Sequence, residues 1–320
     1  RTIAESRPEL MVGLNDINDA GTIVWWRGVN NQPDTYEIVM LKDGKLSRVG
    51  RGAGPSINNN DLVSVDLFRK FTCQPIRDIL LYDGKQRTRI TRNRFNEQSS
   101  DLNDDGWIVW ARSDSCVNPW VGWIPLYRDG RVILLPSGST QPVIPSINNV
   151  PQVVWYAGKL GIEMWEAGET IRLIDSGDAP AINNLGDVYF TRFHEENNRS
   201  YDAWLYRVST GEPAFHRLTD EGEWDTDGDI NDYGEAVWRW MRLPRQGDFS
   251  GGVRFLRRIR TGDFEVDGDV DLIDYSAFAA CMTGPGNVDR LCDCRFLDID
   301  HDGDVDLTDF ARFQNGFTGE

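Results

Sequence analysis

The 320-residue chain has no apolar run near the length of a membrane span, only three histidines, five cysteines and no excess of basic residues. Each shortage removes a class of protein. Without a stretch of about twenty apolar residues, no spanning helix is expected. The formal charge is −17, with 36 acidic and 31 basic residues over positions 1–262 and 15 acidic and 3 basic over 263–320. Neither part offers the basic stripe that phosphate binding needs, so nucleic acid is not an expected partner. His194, His216 and His301 have no second residue at ligand spacing. The patterns G-x-S-x-G, H-E-x-x-H and S-x-D-x-G-x-x-W are missing, and with them the signatures of common serine hydrolases, zinc proteases and sialidases. An acid pair of a glycosidase leaves no such trace, because it is defined by separation in space. The chain opens with Arg1 and lacks the order of a signal peptide, so any targeting segment has been removed or was never included.

The cysteines are too few for a disulfide-built scaffold. Cys73 and Cys116 fall at similar places in successive repeats, which suits either a disulfide between neighbouring loops or two buried thiols. Cys281, Cys292 and Cys294 cannot all pair among themselves. One disulfide plus one thiol fits them better than zinc, since a lone C-x-C without a nearby histidine pair is a poor match to zinc spacing. An oxidising, extracytoplasmic setting follows.

What is present is repetition. "PSINN" stands at 55–59 and 145–149, and "PAINN" at 180–184. Six copies can be aligned on Asn18, Asn58, Asn103, Asn148, Asn183 and Asn231. Three residues after each anchor comes a turn former, Gly21, Asp61, Gly106, Pro151, Gly186 or Gly234. Seven after it comes a large apolar residue in most copies, Trp25, Val65, Trp110, Trp155, Phe190 or Trp238. Apolar residues two apart after a turn describe a strand with one buried face. Each copy continues into a second strand-like run, most of which end in a turn pair such as Asp43-Gly44, Asp83-Gly84 or Asp129-Gly130, and then into a further strand. Three or four short antiparallel strands, repeated six times and rich in aromatics, are the pattern of a β-propeller. With "P-x-I-N-x-x-G-x-V-x-W" opening its blades, the chain over residues 1–262 resembles the six-bladed TolB-type propellers. The anchor asparagines are expected to bond their own turns and the tryptophan column to be core. A metal at Asp225–Asp232, "DTDGDIND", is disfavoured because its Gly is at the fourth place, not the sixth of a calcium loop.

The acidity is concentrated in two twelve-residue stretches. A calcium loop takes ligands at places 1, 3, 5, 7, 9 and 12 and needs Gly at place 6. Asp298, Asp300, Asp302, Asp304, Asp306 and Asp309 fill those places around Gly303, with Asp304 acting through its carbonyl. Asp263, Glu265, Asp267, Asp269, Asp271 and Asp274 fill them again around Gly268. An apolar helical pattern follows each loop and no helix is expected before either. Loop plus one helix, twice, resembles a type I dockerin, in particular the planctomycete-type dockerin-like domains with "ACMTGPG", C-x-C and a final "GFTG".

The resemblance implies two Ca2+ ions bound by these residues and a cohesin-like or other surface scaffold protein as partner. Places 10 and 11 depart from the usual Ser-Thr, being Leu272-Ile273 and Leu307-Thr308, so a different protein contact or an apolar contact within the chain is also open.

The expected fold is therefore mainly β, a six-bladed β-propeller over 1–262 followed by a small α dockerin-like domain of two calcium loop–helix units over 263–320. The expected setting is extracellular or the cell surface. Two functions fit: a propeller that binds an extracellular ligand, with glycan stacking on Trp120 and Trp123, or a dockerin-bearing polysaccharide-degrading hydrolase or lyase.

Overall fold

The structure is a computed structural model that describes residues 10–29, 32–69, 76–114, 118–194, 200–208, 213–219, 223–232, 234–242, 250–256, 270, 272–282 and 305–316. Its contacts divide the chain into two compact units, Arg1–Leu256 and Arg257–Glu320.

The first unit is mainly β and built as antiparallel meanders, one per repeat. They are β1 to β4 (Leu10–Ile17, Ile23–Val29, Glu37–Lys42, Lys45–Arg51), β5 to β8 (Ala53–Ile57, Val63–Arg69, Ile76–Tyr82, Arg87–Arg89), and β9 to β12 (Asn96–Leu102, Ile108–Asp114, Asn118–Arg128, Arg131–Leu135). Next come β13 to β16 (Val143–Ile147, Val153–Tyr156, Ile162–Glu166, Glu169–Ile174) and β17 to β20 (Asp178–Ile182, Val188–His194, Ser200–Arg207, Ala214–Arg217). The last set is β21 to β23 (Trp224–Ile230, Ala236–Arg242, Ser250–Leu256), joined to the fifth by one parallel bridge, Tyr201 to Trp224. These are the blades of a β-propeller. Each blade opens on the strand that runs into the anchor asparagine, so the first strand lies before the anchor rather than after it.

Local chemistry explains the meanders. In the turn after the anchor the third residue takes a left-handed conformation, at Gly21 (φ 74°), Gly106 (φ 75°) and even Asp61 (φ 59°), which Asp tolerates better than most side chains. The N–H of Asp61 donates to the carbonyl of Asn58 at 3.1 Å. Pro151 has no N–H to offer and is not left-handed, yet the fourth-blade turn still closes through Asn148 N–H to the Gln152 carbonyl at 3.1 Å. Asp43-Gly44 and Asp129-Gly130 both have positive φ, as a two-residue hairpin requires. On the second strands, Trp110, Trp155 and Phe190 are completely buried between blades and Val65, Trp25 and Trp238 nearly so. The indoles of three are fixed by buried carboxylates: Trp155 Nε1 donates to Glu163 at 2.9 Å, Trp238 Nε1 to Asp225 at 2.8 Å, and Trp110 to Glu97.

Blades one to five carry a fourth strand outside the third; among the described residues β23 has none, and Val253 and Phe255 on it are exposed. Thr2–Ser6 stand before the first anchor as β4 stands before the second, which makes them the expected partner of β23; they lie outside the described residues. Deleting residues 1–6 is expected to lower the melting temperature of the propeller, because an edge strand would lose its ladder. A melting curve superimposable on that of the full chain removes the idea.

In the second unit, α1 (Leu272–Cys281) and α2 (Leu307–Gly316) share a small core of Val270, Phe278, Val305 and Phe313. Phe278 stacks on Phe313 with ring centres 5.3 Å apart. Val270 and Val305 are both at place 8 of their loops and Phe278 and Phe313 both eight residues later, so the two halves meet through equivalent residues. Cys281 is half-buried beside this core and disulfide-bonded, its partner lying outside the described residues.

Candidate functional site

The innermost strand of a propeller blade has one edge paired and the other facing the channel, where its N–H and carbonyl groups need partners. Side chains from the repeat supply them in three layers. In the first, the anchor asparagines do more than bond their own turns. Asn58 Oδ1 accepts from Leu62 N at 2.9 Å and Asn60 N at 3.0 Å, while its Nδ2 donates across to the carbonyl of Asn103 at 2.8 Å. The same cross-blade bond runs from Asn18 to Asn58, Asn103 to Asn148, Asn148 to Asn183 and Asn183 to Asn231. The second layer, one residue on, rims that mouth. Each N–H of Asp19, Asn59, Asp104, Asn149 and Asn184 donates to the side-chain oxygen of the corresponding residue in the next blade.

The third layer, two residues before the anchor, is Asp16, Ser56, Asp101, Ser146, Ala181 and Asp229. Asp16 Oδ2 accepts from Ile57 N at 2.8 Å, and Asp101 Oδ2 accepts from Ile147 N at 2.9 Å. Ser56 Oγ lies 3.0 Å from Asp16 Oδ2 and 2.9 Å from Asp101 Oδ1. One hydroxyl has one proton, so both contacts are hydrogen bonds only when a carboxyl carries a proton as well. The electrostatics agree. Burial and the neighbouring Asp229 push Asp16 up to about 7, and burial followed by Asp101 pushes Asp229 up to about 6. Asp229 is exposed to the channel itself, so water softens this effect.

These shifts have a definite sign. A carboxyl whose pKa is raised in the native state binds protons more tightly folded than unfolded, so stability falls as pH rises from about 4, the unfolded value, towards 7. Asp229→Asn keeps an acceptor for Ile230 N, which Asp229 holds at 2.8 Å, and removes one of the crowded charges. It is expected to raise the melting temperature at pH 8 and leave it nearly unchanged at pH 4. Equal shifts at the two pH values would contradict this account.

At the other mouth the inner strands begin and the second strands end. The inner strands β5, β9, β13, β17 and β21 each have a left-handed residue four before the anchor, Gly54, Ser99, Ile144, Ala179 and Asp227, and the pairing slips there. Such bulges turn side chains away from the pleat. Between blades three and four this leaves a cleft of about 250 Å³, lined by Gln98, Arg112, Ser113, Gln141, Val143 and Tyr156 among others. Arg112 reaches Glu97 at 3.0 Å and lies over the ring of Phe95, which fixes its guanidinium. Farther round the mouth, burial and the nearby Asp178 raise the phenols of Tyr156 and Tyr201. Asp178 is itself raised by burial and by Asp227, its Oδ1 accepting from Ala179 N at 2.7 Å.

The residues expected from sequence fall as follows. Trp123 is half-buried, edge-on to Phe95 at 5.7 Å, and the side chain of Trp120 lies outside the described residues. The carboxylates of "DTDGDIND" go separate ways: Asp225 to Trp238, Asp227 to Arg239 at 2.9 Å, Asp229 to the channel and Asp232 to Asn184. Of the residues expected to bind calcium, Asp263, Glu265, Asp267, Asp269, Asp271, Asp298, Asp300, Asp302 and Asp304 lie outside the described residues, as do Cys73 and Cys116. Asp274 and Asp309, at place 12 of each loop, are fully buried at the first turns of α1 and α2. Asp309 Oδ2 accepts from Asp306 N at 2.8 Å, and Asp306 caps α2 by accepting from Thr308 N at 2.7 Å. Among the described residues no group of three or more His, Cys, Asp or Glu side chains is gathered tightly enough to hold a metal.

No family model and no curated protein matches the chain. Solved structures do. A puromycin-hydrolysing peptidase of Mycobacterium tuberculosis aligns over 77% of this chain and 44% of its own with 13% identity and a TM-score of 0.54. A TolB structure from Agrobacterium tumefaciens aligns over 78% of this chain and 91% of its own, with 13% identity and a TM-score of 0.50. The chain thus spans less than half of the peptidase, and at these identities the likeness defines the fold, a β-propeller, and nothing finer.

Proposed function

We propose that the chain is an extracellular or cell-surface recognition protein: the propeller binds a glycan, and the second unit, held by two calcium ions, attaches it to a partner. The observation that carries the first half is the contrast between the two mouths. One is spent on the asparagine and Asx rings; at the other, the Gln98 Nε2, the Ser113 hydroxyl, the Gln141 amide and the Tyr156 hydroxyl have no protein partner among the described residues. The channel carboxyls Asp16 and Asp101 are close enough to resemble an acid pair, but their oxygens are engaged by Ile17, Ile57, Leu102 and Ile147 N–H groups and by Ser56. That use is structural, which favours binding over hydrolysis.

For the second unit, calcium is supported by donor chemistry. A fully buried carboxylate at place 12 of each loop suits a hard cation that takes oxygen ligands. Residues Asp263, Glu265, Asp267, Asp269, Asp271 and Asp274 would hold one ion, and Asp298, Asp300, Asp302, Asp304, Asp306 and Asp309 the other. Leu272 and Leu307, both at place 10 and both 71% exposed, are equivalent apolar contacts for a cohesin-like or other scaffold partner.

The test is retention of the full chain on a polysaccharide panel in calcium, scored also for new reducing or unsaturated ends, with Trp120→Ala alongside. Retention without product supports recognition. Release of sugars establishes the enzyme instead, and absence of retention on every polysaccharide removes the glycan.

A further inference from the structure

The cleft between the third and fourth blades has a composition that selects among ligands. Four of its side chains hold unspent hydrogen-bonding groups: the Gln98 Nε2, the Ser113 hydroxyl, the Gln141 amide and the Tyr156 hydroxyl have no protein partner among the described residues. The Gln98 Oε1 is oriented by Asn96 Nδ2 at 3.1 Å, which leaves the amide nitrogen as the free end. All four are neutral. The one formal charge in the wall, Arg112, is cancelled where it stands: its Nε lies 3.1 Å from both carboxylate oxygens of Glu97, and Phe95 covers it. Ala111, Val143 and the ring of Tyr156 supply apolar surface.

We propose that this cleft is a subsite for one uncharged sugar unit, the end of a glycan chain, held by Gln98, Ser113, Gln141 and Tyr156. The assignment rests on the reading of this mouth as the ligand-binding face. Several donors and acceptors beside an aromatic ring match a pyranose, which presents hydroxyls around its edge and C–H groups on its faces. The volume of about 250 Å³ is below the roughly 300–1,000 Å³ of sites that enclose drug-sized molecules, so a single ring fits and an extended chain does not. Charge decides between sugar types. The single cation of the wall, Arg112, is held by Glu97, so a uronate or sulfated sugar would find no free cation in the cleft to receive its charge.

Binding of uncharged methyl glycosides and of glucuronate to the full chain in calcium, measured by saturation-transfer NMR and titration calorimetry, tests the assignment. At least one uncharged glycoside is expected to bind and to displace the protein from a retaining polysaccharide, and glucuronate to bind more weakly. Tyr156→Phe and Gln98→Ala, drawn from different blades, should each weaken that binding roughly two- to tenfold, the worth of one hydrogen bond, with unchanged melting temperatures. Lys45→Ala, on the outer edge of the first blade, should change nothing. Retention on a polysaccharide that neither variant weakens would overturn the subsite and leave the recognition reading standing. Preference for glucuronate would overturn the uncharged ligand. No retention of the parent on any polysaccharide would remove both.

Discussion

Chelation of calcium is expected to unfold the second unit and leave the propeller intact. Each loop places six acidic side chains within twelve residues, and without a cation their repulsion acts on a core that consists of Val270, Phe278, Val305 and Phe313 with Phe310 and Cys281 beside them. So small a core gives little stability of its own, and the free energy of ion binding is then largely the free energy of folding. The full burial of Asp274 and Asp309 sharpens the point, because a buried carboxylate without its cation is costly. Scanning calorimetry with and without chelator should show one transition lost and the other unmoved. Asp267→Ala and Asp302→Ala should each remove one ion of two by titration calorimetry. An unchanged trace on chelation would mean that the acidic loops have another purpose.

How much of this was legible follows from what each feature depends on. The repeat was legible because its anchor is a turn, and turn chemistry is local: a left-handed third residue and an Asn to close the backbone can be read without neighbours. The tryptophan column was legible for the same reason, from alternation within one strand. The strand before each anchor was harder to assign, since "AGPSI" is short and carries Gly and Pro, and its role as the blade's first strand depends on facing the channel.

The channel ring was missed. Its column reads Asp, Ser, Asp, Ser, Ala, Asp, which looks variable until the inner strand's unpaired edge supplies the task that Asp16, Asp101 and Ser146 share, accepting an N–H from the next blade. The cleft was missed because Gln98, Ser113 and Gln141 share no repeat position and meet only where two blades adjoin. The two acidic twelve-residue stretches could be read from spacing alone. The pairing of Val270 with Val305 could have been read too, as the same place in both loops.

The second large effect is expected at Asn58, where the repeat and the ring meet. Its side chain is 4% exposed and makes three hydrogen bonds, two within its turn and one to the carbonyl of Asn103 in the next blade. Alanine removes all three: the N–H groups of Leu62 and Asn60 lose their acceptor, and the Asn103 carbonyl is left with the Gly106 N–H of its own turn. At roughly 1 kcal/mol per bond, and more where water cannot enter, the loss is on the order of 3 kcal/mol. For a domain of this size that corresponds to a fall in melting temperature of roughly 6–12 °C. Asn59→Ala, one residue away on the exposed rim, should cost well under 1 kcal/mol, because its partners can turn to water. Asn58→Asp separates the two duties of the side chain. It keeps the acceptor for Leu62 and Asn60 but sets a carboxylate oxygen against the Asn103 carbonyl, so its loss should be large at pH 8 and shrink at pH 4, where a protonated carboxyl can donate in place of the amide. If Asn58→Asp were as stable as the parent at pH 8, the bond between blades would carry no weight, and the asparagine would serve its own turn alone.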